Sequence, residues 1–113
     1  MHELGIVFYI IRNLKEISEK YNVSAIKKVT LEIGEVSTII PSYLIDCYKW
    51  AIKKEDLLKD SSLDIEVIEA INHCNSCGMD YSATKFGKTC PNCKSKDTYL
   101  LKGNEANIKS IEY

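Results

Sequence analysis

Apolar residues near the start of the chain recur at three- and four-residue intervals: Leu4, Val7, Phe8, Ile11, Leu14, Ile17 and Tyr21, with Arg12, Lys15, Glu16, Glu19 and Lys20 on the other side. That period predicts an amphipathic helix. Asn22 suits its end, because asparagine tolerates the left-handed conformation that closes many helices. From Ala25 to Ile33 the period drops to two: Val29, Leu31 and Ile33 alternate with Lys28, Thr30 and Glu32, as in a strand with one buried face. Gly34 closes it. Pro41 fits the first turn of a second helix, where a missing N–H costs nothing. Leu44, Ile45, Tyr48, Ala51 and Ile52 form that helix's apolar stripe. A charged, turn-rich stretch from Lys53 to Ser62 leads into a second alternation, Leu63, Ile65 and Val67 against Asp64 and Glu66.

From His73 to about Lys102 the pattern fails. Cysteine, asparagine, lysine, serine and glycine dominate, and large aliphatics nearly vanish until Leu100. Such a stretch buries too little apolar surface to offset the entropy lost on ordering it. Gly103-Asn104 reads as a tight hairpin turn. The tail from Ala106 to Tyr113 predicts a last strand that rejoins the N-terminal sheet. The expected fold is α+β: two helices on a small mixed sheet, with an inserted, zinc-ribbon-like four-cysteine module. The corresponding domains are 1–72 plus 104–113, and 73–103.

Composition narrows the class. The chain has 113 residues, 15 basic and 16 acidic, and a net charge of −1. It can build one compact domain, or a small core plus a metal-stapled module. Neutral balance argues against a basic nucleic-acid coat and against an acidic disordered tail. The longest apolar run, Leu4 to Ile11, is far shorter than the ~20 residues of a membrane helix. Glu3 before it, Arg12 after it and the lack of a small-x-small cleavage site argue against a signal peptide. The expected compartment is the cytoplasm, where retained cysteines are usually metal ligands or catalytic thiols.

Cys74-Asn75-Ser76-Cys77 and Cys90-Pro91-Asn92-Cys93 are two C-x-x-C pairs. A two-residue gap lets both thiolates of a pair face one ion, and two such knuckles make the closed tetrahedral site of structural zinc. Gly78 suits the positive-φ turn a knuckle needs. A disulfide pair, a redox dithiol and a rubredoxin-like iron site for electron transfer compete with zinc. Residues 71–103 carry a formal +3, which four thiolates and one Zn²⁺ would reduce to about +1. His73 could be a ligand or a second donor behind one, or a partly exposed histidine. Cys47 reads as a small buried hydrophobe, and Trp50 as core or interface anchor.

The amino terminus carries a second donor set. A residue as large as His2 disfavours removal of the initiator methionine, so a free amine is expected on Met1. That amine, the deprotonated amide of His2 and His2 Nδ1 would close adjacent five- and six-membered rings. The planar nitrogen set suits Ni²⁺ or Cu²⁺, with Glu3 able to add a fourth donor. An unliganded, frayed terminus is the competing reading.

The opening Met1-His2-Glu3-Leu4, Gly34-Glu35-Val36-Ser37, the cysteine pairs and the closing Gly103-Asn104-Glu105 with Ile108-Lys109-Ser110-Ile111-Glu112 together resemble the HypA/HybF family. These are nickel-insertion accessory proteins for [NiFe]-hydrogenase and, in some bacteria, urease. The resemblance implies a nickel metallochaperone with Ni(II) as transient cargo at Met1, His2 and Glu3, and structural Zn(II) at Cys74, Cys77, Cys90 and Cys93. It also implies the nickel-binding GTPase HypB and the hydrogenase large subunit as partners, with urease accessory proteins as further candidates. Two departures stand out: Gly5 replaces a serine common in the family, and Ile39-Ile40-Pro41 carries no carboxylate. A monomer or homodimer with no nucleic acid and no membrane is expected. A zinc ribbon binding nucleic acid or a transcription complex is the rival from another class. A lone arginine and the absence of an aromatic-basic stripe count against it. No histidine–carboxylate–nucleophile set or phosphate-binding glycine loop is legible, so an enzyme is not expected.

Overall fold

The computed structural model describes residues 2–113, His2 by its backbone alone. The chain forms helix α1 (His2–Tyr21), strand β1 (Lys28–Gly34), helix α2 (Pro41–Ala51) with a 3-10 turn at Ile52–Lys54, and strand β2 (Ser62–Ile68). Strands β3 (Ile71–Cys74) and β4 (Asp80–Ser82), the short helix α3 (Ala83–Phe86), β5 (Thr98–Lys102) and β6 (Ala106–Glu112) follow. Among the described residues no helix is long and apolar enough to cross a membrane. Two compact units result. One holds the residues up to Glu32, Ile39–Glu66 and Ala106–Tyr113; the other holds Ile33–Thr38 and Val67–Glu105.

In the first unit α1 buries Val7, Ile10, Ile11 and Leu14, and Asn22 ends it at φ 55°. Phe8 and Tyr21, read as part of the apolar stripe, are exposed, and Ile10 takes the inward position instead. The buried stripe of a helix is narrower than its apolar residue count suggests. Helix α2 begins with Pro41 at its first turn and buries Leu44 and Tyr48. Tyr48 keeps its hydroxyl satisfied 2.5 Å from Ser61 Oγ. Trp50 is not core, being 62% exposed, and Cys47 is only half-buried.

The strands order β2-β1-β6. Lys27 N–H donates to the Glu112 carbonyl and Gly34 N–H to that of Glu105, so β6 runs antiparallel to β1. Ser62 N–H donates to Lys27 and Glu35 N–H to Ile68, so β2 is parallel to β1, as the intervening helix requires. The sheet is therefore mixed. Alternation in β1 places Val29, Leu31 and Ile33 in the interior. Lys28 pairs with Asp64 at 2.9 Å, and Lys109 with Glu66 at 2.6 Å.

In the second unit the strands order β4-β3-β5, both pairs antiparallel, with His73 opposite Asp80 and Tyr99. Gly103-Asn104 is not a hairpin turn: β5 and β6 belong to different sheets. Gly103 at φ 118° instead approaches Ala70 and Gly34. Residues 33–38 join this unit through Gly34 N–H to Glu105, Glu35 N–H to Ile68 and Val36 N–H to Gly103. The Glu35 carboxylate accepts the Ala70 N–H at 3.1 Å.

Candidate metal centre

Each cysteine pair folds into the same loop, and the hydrogen bonds explain why. Cys74 N–H donates to Met79 and Cys90 N–H to Ser95, five residues on in each case. The carbonyls of the same cysteines accept from Gly78 and Lys94, four residues on. Those two residues have φ of 77° and 64°. Glycine meets that demand in the first knuckle. In the second a lysine does, which local sequence pattern does not announce.

The first knuckle is the loop of the β3–β4 hairpin; the second lies between α3 and β5. Together they bring all four sulfurs within 4.8 Å of one another. Cys74 Sγ is 3.5 Å from Cys93 Sγ, and Cys77 Sγ 3.6 Å from Cys90 Sγ. A tetrahedron with metal–sulfur bonds of about 2.3 Å has edges of about 3.8 Å. Four soft donors at that separation fit a tetrahedral metal ion, and none is tied in a disulfide. The cluster could therefore hold a metal.

Cys74 and Cys90 are buried; Cys77 and Cys93 reach solvent. Hydrogen bonds from the Asn92 side chain and the Met79 backbone stabilise the Cys77 thiolate and hold its pKa down to about 6. Cys93 goes the other way. The Ser95 backbone N–H favours its thiolate, but the Cys74, Cys77 and Cys90 sulfurs and desolvation outweigh that and push it up to about 12. Within this arrangement of the four sulfurs Cys77 therefore gives up its proton well before Cys93.

Supporting groups lie behind the cluster. Cys74, Tyr81 and Cys90 form the small buried core. Asn72, buried, donates to the Gly87 carbonyl at 2.9 Å, which also accepts the Tyr81 hydroxyl at 2.9 Å. His73 is outside the sulfur cluster. Its Nδ1 lies 2.6 Å from Asp80 and its ring packs on Tyr99. The Asn72–Tyr81–Gly87 network left no signal in the local pattern.

At the amino terminus, Met1 and the His2 side chain, the expected nickel donors, lie outside the described residues. Glu3 Oε2 accepts the N–H of Ile40, the residue preceding α2, at 3.2 Å.

A mixed α+β fold carrying a four-thiol cluster between two C-x-x-C knuckles defines a small metal-binding protein. The chain belongs to the family described as "Hydrogenase/urease nickel incorporation, metallochaperone, hypA", which it matches along residues 1–113. It is 32% identical over 112 residues to the hydrogenase maturation factor HypA of Trichodesmium erythraeum, covering 99% of this chain and 95% of that protein. It is 30% identical to that of Geobacter metallireducens, covering 99% and 98%. Among solved structures it is similar to the Ni metallochaperone HypA from Helicobacter pylori, with a TM-score of 0.75 at 26% identity over 97% of this chain and 95% of that one. A second structure, of a HypA protein, gives 0.74 at 30% identity over 99% and 95%.

Proposed function

We propose that this protein carries Ni(II) on the Met1 amine, His2 and Glu3, holds Zn(II) at Cys74, Cys77, Cys90 and Cys93, and delivers nickel during [NiFe]-hydrogenase maturation. Residues 1–72 and 104–113 are then the nickel-bearing core and 73–103 the zinc-bearing module. HypB and the hydrogenase large subunit are the partners this reading implies, with urease accessory proteins as a further route for the metal. It acts in the cytoplasm, as a carrier and not an enzyme. The observation that carries the reading is family membership along the whole chain, from the Met1-His2-Glu3 start to the cysteine pairs.

The donor chemistry supports two sites with different lifetimes. An amine with a reference pKa near 8 and an imidazole near 6.5 must both lose protons to bind, so nickel is released as acid protonates them. Release is what a carrier needs. Four thiolates in a closed cage favour permanent occupation, and zinc there would supply cross-linking without redox chemistry.

Nickel titration of protein beginning at Met1 should show one site. His2→Ala, and separately an extension before Met1 that turns the amine into an amide, should each weaken it by more than ~100-fold, beyond what loss of an outer-shell partner costs. Zinc content and the circular dichroism spectrum should not change. Unaltered nickel affinity in either variant refutes the assignment. A red colour in the purified protein would replace zinc with ferric iron at the four sulfurs.

A further inference from the structure

The outward sides of α1 and α2 carry large apolar side chains exposed to solvent. Phe8 is 51% exposed, Tyr43 57% and Trp50 62%. Tyr43, Cys47 and Trp50 recur at four- and three-residue spacing along α2, and Leu4 and Phe8 four apart along α1, so each set forms one stripe. Leu4, Asp46, Cys47 and Trp50 line an open trough of about 320 Å³ where the two helices meet. Cations extend both stripes. Arg12 continues the line of Leu4 and Phe8; Lys49, Lys53 and Lys54 flank and follow Trp50. The ion pairs among the described residues involve four other lysines and His73 and leave these four cations without a carboxylate partner.

We propose that this face docks an amphipathic helix of a partner protein, one whose apolar side is flanked by acidic residues. A trough between two helices accepts the ridge of a third. Exposed tryptophan, tyrosine and phenylalanine are the residue types that anchor such contacts. The cationic rim selects acidic flanks and disfavours a second copy of this chain, whose own rim would meet it with like charge. The concave shape and the Asp46 carboxylate in the trough disfavour a lipid surface, which would desolvate that charge with no partner.

Trp50 is the single tryptophan, so its emission reports the site. The probe is a synthetic helical peptide with leucines along one face and glutamates beside them; its counterpart carries lysines instead. The glutamate peptide should shift Trp50 emission to the blue saturably, and the lysine peptide should not. Lys49→Glu with Lys53→Glu should weaken binding at least about tenfold, and Phe8→Ser should do the same. All three positions are exposed, and circular dichroism checks that the variants remain folded. Equal response to the two peptides overturns the proposal. So does a blue shift given by phosphatidylglycerol vesicles but not by the peptide, or one that appears with rising protein concentration alone.

Discussion

Stripping the zinc proposed for the four-cysteine site is expected to unfold residues 73–102 while α1, α2 and their sheet stay ordered. The buried core of that stretch is Cys74, Tyr81 and Cys90, so two of its three members belong to the proposed zinc site. Met79, Phe86, Tyr99 and Leu101 are 41–49% exposed and contribute little burial. Ordering a residue's backbone costs roughly 1–2 kcal/mol. Three buried side chains at about 1.5–3 kcal/mol each cannot offset that over such a length. A structural zinc contributes on the order of 10 kcal/mol, which makes its binding energy largely folding energy. The first unit has its own interior of Val7, Ile10, Leu14, Leu31, Leu44, Tyr48 and Leu58. Hydrogen exchange before and after chelation, with metal release verified, should show protection lost at the amides of Cys74 and Cys90 and retained in α1. Full protection after complete metal loss would show that the knuckles hold without an ion.

What the sequence disclosed follows from which interactions are local. The three- and four-residue spacing of α1, Pro41 opening α2 and the alternation of β1 and β2 each appear in the structure close to their expected bounds; α1 and β1 bury one face, whereas β2 buries only Leu63 and leaves Val67 exposed. The strand at Ala106–Glu112 was legible from Ile108 and Ile111, both only half-buried, and it lies beside β1. The gathering of the four cysteines was legible because a two-residue gap lets both thiols of a pair face one point, whatever the surrounding fold. Strand β5 was not, since Tyr99, Leu100 and Leu101 are exposed and show no alternation. Nor was the attachment of residues 33–38 to the second unit, which depends on backbone bonds to residues between about 30 and 70 positions away. Glycine and asparagine at 103–104 suit a hairpin locally, yet the chain uses Gly103 to let three backbones meet. Long-range close approach has no short-range signature.

That meeting point carries the second large effect. A Cβ added at Gly34 would lie 1.9 Å from the Gly103 carbonyl oxygen, 2.0 Å from its carbon and 2.4 Å from the Asn104 nitrogen. All three are backbone atoms, so relief requires displacing the chain, not turning a side chain. The displacement also strains the Val36 N–H bond to the same Gly103 carbonyl. Gly34→Ala should therefore cost at least about 3 kcal/mol, the upper range for overpacking. Gly103→Ala should cost as much by a different route: its φ of 118° disfavours any side chain, and its Cβ would lie 2.4 Å from Ala70 Cα. Gly5 supplies the contrast within one molecule. Its added Cβ meets nothing within 4 Å and it lies inside α1, so Gly5→Ala should stabilise by roughly 0.5–1 kcal/mol through helix propensity. Denaturant melts of the three variants with metal bound measure these effects directly. If Gly34→Ala were as stable as the parent, the close backbone contact between residues 34 and 103 would not exist in solution. If Gly5→Ala alone rose, the same substitution would have opposite signs at its different sites, because at Gly34 and Gly103 the backbone leaves no room.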